Sequence, residues 1–455
     1  MADHSEGALG TFWTVAILFV FAAVFGGGGS KYGMANLIVQ LAALTALSFH
    51  RRAFFEFWAT SPAGLRVLIA ASIMLPLIYL VPLPVNLWQS LPGRELMTES
   101  FALIGEAQWA SASVDPIRTL LALTALIAPL ALLTIGWNMA QDRLIMVGWI
   151  AVGLGLANFL IGIPQVLSAG QSGLLYPENP MPGVLFGTFA NRNSTGLLLV
   201  GCVALAALLP PPPRLGRSAS AIQIVTCMLL IVAIILTRSR TALVLTLVPI
   251  GAVMLRVALA HAGTRTLRGQ GESRKAWFAL VPAALIAGAL GFFLATGPGR
   301  VNDVLERFDD SDDARAYIWE DAAYSADRYW PIGSGMGTFD DVFQIDESLE
   351  NMTLRTAGRA HNDYLEVAIE AGLPGLTLIA GWLILLGWLI WRARKSRGRW
   401  IAWSGGVILL TIALQSITDY PLRNLTMLTF ASYALLILLR FGSPEHSSSR
   451  QEVLP

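Results

Sequence analysis

The chain has 455 residues, of which 55% are hydrophobic and only 13% charged, and its mean hydropathy is +0.60. A soluble domain carries about 25% charged residues, so an ordinary soluble protein is excluded, and disorder, with its low hydrophobicity and high charge, is excluded with it. The net charge of +1 supplies no basic field for a nucleic acid.

In chain order, apolar runs are predicted as helices at 11–28, 33–50, 64–84, 116–136, 144–163, 191–209, 219–237, 241–260, 276–296, 373–391, 400–418 and 422–440. Their lengths fall near the ~17–25 residues a bilayer crossing needs. In lipid every backbone amide must be satisfied within its own segment, so these runs are helices. A β-barrel would show short alternating strands instead. The predicted fold class is all-α: a polytopic helical membrane protein of about twelve transmembrane helices, with a partly helical outer (periplasmic) loop domain. Residues 1–185 form the N-terminal transmembrane part and 186–296 the central transmembrane helices. Residues 297–372 hold the large outer loop, and 373–455 the last helices and an inner tail. Cys202 and Cys227 lie inside apolar runs and read as core cysteines, not as a disulfide or a thiolate metal site.

Orientation follows from Lys and Arg in the short loops. With the N-terminus inside, the inner loops collect Arg51, Arg52, Arg143, Arg214, Arg217, the cluster Arg265, Arg268, Arg274, Lys275, and the run Arg392, Arg394, Lys395, Arg397, Arg399. The outer short loops are poorer in Lys and Arg. The first span lacks a basic n-region and follows Asp3 and Glu6, so it reads as a retained helix, not a cleaved signal. Residues 297–360 break the pattern, with six basic residues against fourteen acidic ones. A loop this long in a compact protein is usually functional or disordered. Trp319, Tyr324, Trp330 and Phe339, with helical spacing over 314–329, predict a small folded cap. Two further outer loops, 85–115 and 164–190, carry Leu91-Pro92-Gly93-Arg94-Glu95 and a Pro/Gly-rich run into Phe186–Asn193.

Three places at the outer boundary carry chemistry. Thr237-Arg238-Ser239-Arg240-Thr241 joins two spans. An arginine near hydrocarbon costs ~2.5–3.5 kcal/mol at a helix centre, so two within three residues need a partner or an exit to water. They either snorkel to lipid phosphates or form an anion site. Positions i and i+2 of a helix point about 200° apart, which makes Arg240, between small Ser239 and Thr241, the cavity-side residue. Arg315 follows the run Asp309-Asp310-Ser311-Asp312-Asp313, where the plainer alternative is a solvated ion pair worth about 0–1 kcal/mol. That run lacks the glycine and distant glutamate of an EF-hand loop. Gly333-Ser334-Gly335-Met336-Gly337 has no βαβ context and reads as a turn. Arg359-Ala360-His361-Asn362-Asp363-Tyr364-Leu365 opens a helix capped by Asn362 or Asp363, running through Glu366 and Glu370 and stopping at Gly372 before Pro374. Of the five histidines only His361 lies on the outer side. A lone histidine is more often structural, but an ordinary imidazole titrates near about 6.5, which suits a general base.

Together these stretches resemble the O-antigen ligase and polymerase superfamily. Thr237–Thr241 is similar to its Ser-Arg motif. Arg315 through Trp319, followed by Pro331–Phe339, is similar to its arginine-to-glycine stretch. His361-Asn362-Asp363-Tyr364-Leu365-Glu366 through Gly375 resembles its most recognisable signature, and Gly187–Asn193 a further segment, though with Arg192 where a smaller residue or proline is expected. The resemblance covers roughly 185–380.

It implies a bacterial inner-membrane glycosyltransferase of the GT-C type, inverting, metal-independent and without a cofactor. Such an enzyme moves a glycan from undecaprenyl pyrophosphate to a hydroxyl of a glycan, lipid or protein acceptor at the periplasmic face. Its partners are that donor, the acceptor and membrane lipids, with no nucleic acid. By the same resemblance His361, Arg240 and Arg315 are catalytic. Arg238, Asn191, Asn193, Asn362, Asp363 and Tyr364 are substrate-binding. The alternatives are a polymerase of lipid-linked repeats, a polysaccharide transporter or flippase, and a purely structural membrane protein. A transporter would place ionisable groups mid-span and show paired interrupted helices.

Overall fold

A computed structural model describes residues 2–105, 109–167, 176, 181–264, 314–352 and 357–443. The described residues are mostly helical, and the sheet among them consists of one antiparallel pair, β1 (Pro82–Leu83) with β2 (Ala110–Ser111). The helices in order are α1 (Ala2–Phe25), α2 (Gly33–Phe49), α3 (Arg51–Thr60), α4 (Ala63–Leu80), α5 (Val85–Trp88), α6 (Glu95–Leu103), α7 (Pro116–Ala125), α8 (Ile127–Gly136) and α9 (Gln141–Leu167). They continue as α10 (Arg192–Leu208), α11 (Ala219–Leu236), α12 (Arg240–Leu245), α13 (Leu247–Thr264), α14 (Ala314–Arg328), α15 (Phe339–Asp346), α16 (Asp363–Ala393), α17 (Arg399–Gln415) and α18 (Leu425–Gly442).

The described helices do not bear out the count of twelve spans. Among the described residues eight helices are long and apolar enough to cross a bilayer, or nine if α2 and α3, bent by 80° at His50, act together. Two expected spans fall on α10 and α17, each 17 residues long. At 1.5 Å per residue they rise about 25 Å, at the lower limit of what a crossing needs. They run between the two ends of the bundle through its interior, and α10 is buried around nearly its whole circumference. A helix apolar on every face belongs in a core as readily as in lipid. The expected span at 276–296 lies outside the described residues, as does the acidic run 309–313. The protein is a multi-pass helical membrane protein.

The main core gathers around α18, whose span is 83% buried, against 11% for α16 at the periphery. Hydrogen bonds between helix ends sort the connections into two groups. At one end Arg256 Nη1 donates to the Leu208 carbonyl (3.3 Å), Ser396 Oγ to Phe441 (2.6 Å) and Gln141 Nε2 to Arg440 (3.3 Å). This end holds Arg143, Arg392, Arg394, Lys395, Arg397 and Arg399. At the other, Ala190 N–H donates to Gly27 (3.2 Å) and Thr426 Oγ1 to Ala22 (2.6 Å).

A small second core stands at that second end, built from Ala322, Tyr329, Phe339, Val342, Phe343, Ala360 and Ile369. It makes the cap expected from 314–329 a folded unit, docked onto the 85–115 loop. Fully buried Arg94 donates to the carbonyls of Pro92 (3.0 Å), Gly333 (3.2 Å) and Ala112 and stands 5.3 Å over the Tyr329 ring. Burial draws its guanidinium below the usual arginine range.

Candidate functional site

Two amides inside α9 explain how the first wall of the site is shaped. Gln165 Oε1 accepts from Phe186 and Gly187 N–H (2.9 Å each), and Asn158 Oδ1 accepts from Thr188 N–H (2.8 Å). Both amides are buried, so each must be hydrogen-bonded, and the 184–190 loop supplies the partners. The loop delivers Asn191 to the N-cap of α10, where its Oδ1 accepts from Asn193 N–H (2.9 Å).

The second wall is the Ser-Arg segment. Thr237 ends α11, Ser239 caps α12, and Arg238 between them has φ 51°. Arg238 and Arg240 are therefore not two positions of one helix. The expectation that they point about 200° apart fails, because the backbone turns left-handed between them. The Arg238 guanidinium packs over Gly183, where an added Cβ would lie 3.1 Å from Nη2. Arg240 is the first residue of α12 and half-buried. Ser239 Oγ donates to Asn193 Oδ1 (2.8 Å), and Gln415 Nε2 to the Asn193 carbonyl (3.1 Å). Thr241 Oγ1 meets Thr418 Oγ1 at 3.5 Å. The Ser-Arg turn, the Asn191–Asn193 turn and the end of α17 are thus one hydrogen-bonded unit.

His361 enters from the third side. Its φ of 52° is left-handed, and it and Arg238 are the two non-glycine residues with positive φ among the described residues. Such strain clusters at functional sites and persists only where surroundings enforce it. Here Trp319 Nε1 donates to the Ala360 carbonyl (2.7 Å) before it, and Asn362 caps α16 after it, accepting from Tyr364 and Leu365 N–H. His361 Nδ1 lies 3.3 Å from Oδ1 of Asp419, whose side chain is fully buried, while Asn191 Nδ2 donates to Asp419 Oδ2 at 3.1 Å. A carboxylate offers only acceptors, so the shared proton belongs to Nδ1 and leaves Nε2 as the basic nitrogen. Tyr420 packs tilted against the imidazole, ring centroids 5.1 Å apart. Burial, then the Asp419 charge, hold its phenol well above the usual range.

Below the imidazole lies a charge cluster. Arg423 pairs with Asp363 (3.3 Å), Glu366 (3.2 Å) and Glu370 (2.8 Å); Arg359 pairs with Glu366 (3.2 Å), donates to Ser30 Oγ (2.6 Å), and stands 5.8 Å over Tyr420. Burial pulls Arg423 down, but Glu370, Glu366 and Asp363 outweigh it and hold the guanidinium above its ordinary value. Asp363 also accepts from Ser416 Oγ (3.0 Å), and Tyr364 donates to the Ala413 carbonyl (2.8 Å). The polar groups of Asn362, Asp363 and Tyr364 are thus engaged inside the protein.

Arg315 stands on the first turn of α14, one turn before Trp319 and so on the same face. It is half-buried. The glycine loop is a packing device. A Cβ on Gly333 (φ 98°) would come within 2.6 Å of the Glu370 and Ala371 backbone, and one on Gly372 would strike the Pro331 carbonyl. Gly372 (φ 52°) was expected to end the helix; it kinks α16 instead, and the chain resumes helical geometry through Pro374. Among the described residues no group of three or more His, Cys, Asp or Glu is arranged to hold a metal.

Sequence reasoning attached no role to Asp419, Tyr420, Arg359 or Arg423. The signal was present: acidic and basic residues between two apolar runs need partners for the same reason as Arg238 and Arg240.

Comparison with known proteins agrees with the motifs. Residues 225–380 match the family model described as O-antigen ligase, which takes in the Ser-Arg turn, Arg315, the glycine loop and His361. No curated protein matches the chain.

Proposed function

We propose that this chain, whose residues 225–380 match the family model described as O-antigen ligase, transfers a glycan from undecaprenyl pyrophosphate to an acceptor hydroxyl at the periplasmic face of the bacterial inner membrane. The observation that carries the reading is the His361–Asp419–Asn191 chain, closed by hydrogen bonds onto the turn that holds Arg240. The side assignment is supported by charge: the site lies at the end opposite the Arg-rich loops, and such loops face the cytoplasm.

The chemistry follows from the groups present. The leaving group is a pyrophosphate ester, which needs its growing charge neutralised more than it needs a proton. Arginine forks bind phosphate bidentately and stay charged, and Arg240 and Arg315 take this role, with Arg238 as a further contact to the substrate. Stabilising charge that develops in the transition state is usually the largest catalytic contribution. The acceptor hydroxyl is a weak nucleophile. His361 Nε2 takes its proton as the new C–O bond forms at the anomeric carbon, the bond to pyrophosphate breaks from the opposite face, and configuration inverts. Asp419 fixes the imidazole tautomer and stabilises the imidazolium that results. Asn191 and Asn193 align the turns, while Asn362, Asp363 and Tyr364 hold the His361 segment in place. The reaction is assigned no metal.

The test is turnover of a purified undecaprenyl-pyrophosphate-linked glycan by the protein in nanodiscs. His361→Ala is expected to lose ~10²–10⁴-fold in rate, the range general base catalysis supplies; undiminished transfer removes the imidazole from the mechanism. EDTA is expected to leave turnover unchanged, and abolition by the chelator contradicts the metal-free scheme. Product analysis separates joined repeats still on the lipid carrier, the mark of a polymerase, from glycan on a new acceptor.

A further inference from the structure

The outward face of α14 is patterned differently from its inward one. Inward lie Trp319, bonded to Ala360, and Ala322 in the cap core. Outward lie Tyr317, Glu320, Tyr324 and Asp327, all exposed, the two rings 45% and 65% so. Their spacing of three, four and three residues makes one stripe, about 15 Å long at the helical rise. Ala316 and Ala323 beside them are exposed and small. Trp330, 44% exposed, stands just beyond the end of the helix.

We infer that this stripe is a glycan-binding surface, on which the sugar chain lies as it leads to His361. A pyranose ring has an apolar C–H face and a rim of hydroxyls. Tyrosine rings offer a flat apolar body with a polar tip for the first, and carboxylates between them accept hydrogen bonds from the second. A stripe of this length suits several sugars rather than one. Two carboxylates among the rings disfavour an anionic bilayer surface, the other common resting place for exposed aromatics. The helix that carries the stripe also borders the site, since Arg315 lies on its first turn and Trp319, on its inward face, holds the residue before His361. The choice of a sugar as ligand rests on the proposed glycan transfer.

The experiment is saturation-transfer NMR on the full chain in detergent. The probe is the water-soluble oligosaccharide released by mild acid from the host's polyprenyl-linked glycans. Wild type is expected to transfer saturation from aromatic protons to sugar protons. Tyr317→Ala/Tyr324→Ala is expected to weaken binding about tenfold, and Tyr317→Phe/Tyr324→Phe to keep it. Both rings are exposed, and an unchanged melting temperature verifies folding. Absence of transfer in the wild type, or equal binding by the Ala variant, overturns the inference. So does loss of the signal on moving the wild type into a nanodisc, which places the rings in the bilayer. The two readings fail separately. Oligosaccharide binding without donor turnover sinks the enzymatic proposal and keeps the surface. Donor turnover with binding untouched by the Tyr→Ala pair sinks the surface and keeps the enzyme.

Discussion

Asp419 is the residue on which the imidazole depends. Asn at 419 keeps the size and one hydrogen bond, yet its amide can donate to Nδ1 and stabilise the tautomer with the proton on Nε2. Asp419→Asn is therefore expected to slow transfer on the order of 10²-fold with little change in melting temperature, comparable to losing much of the base. Activity near wild type would assign Asp419 to packing alone. Arg240→Lys probes the other half of the reaction. It keeps the charge and loses the planar fork, so a marked fall in rate is expected at a bidentate phosphate contact; a lysine variant of full activity contradicts that role. His361 and the Arg238–Arg240 pair were visible in the sequence because ionisable residues at span ends stand out against apolar runs. Their partners were not, since His361 and Asp419 are separated by 58 positions and meet only through the fold.

At the scale of elements, the first turns of α16 are held by Arg423 against three carboxylates. Removing one partner of a buried ion cluster leaves charge uncompensated and costs about 3–5 kcal/mol. Arg423→Met is expected to lower the melting temperature in detergent markedly, whereas a wild-type melt would show the cluster adds no stability. Gly372→Ala tests the kink, since its Cβ would collide with the Pro331 carbonyl and the backbone is left-handed there; poor expression or a lower melt is expected. The helix start at Asn362 was legible from its capping chemistry. The continuation past Gly372 was not, because glycine and proline read as a stop and only packing against the 331–333 loop turns that stop into a bend. The Ser-Arg turn was misread as continuous helix for a related reason: no glycine or proline marks the break, and Ser239 and Asn193 create it by pairing.

Across the whole molecule, the class of fold was evident from composition, while the count of crossings was not. Apolar runs record burial without saying whether lipid or protein does the burying, and the 17-residue α10 and α17 run through the interior of the bundle. The family stretch ends at residue 380, yet Asp419, Arg423 and Asn191 complete the site from outside it. The two ends of the bundle make a directional prediction. A membrane-impermeant maleimide is expected to label Tyr32→Cys in intact spheroplasts and Arg397→Cys only after permeabilisation, with Cys202 and Cys227 silent because both are buried. The reverse pattern would put the site on the cytoplasmic face.

The most direct measurement is a cryo-electron microscopy map of the protein with undecaprenyl pyrophosphate bound. The account predicts diphosphate density in contact with the guanidinium groups of Arg240 and Arg315, with the His361 imidazole facing it. Density seated elsewhere, or arginines directed away from it, would contradict the account.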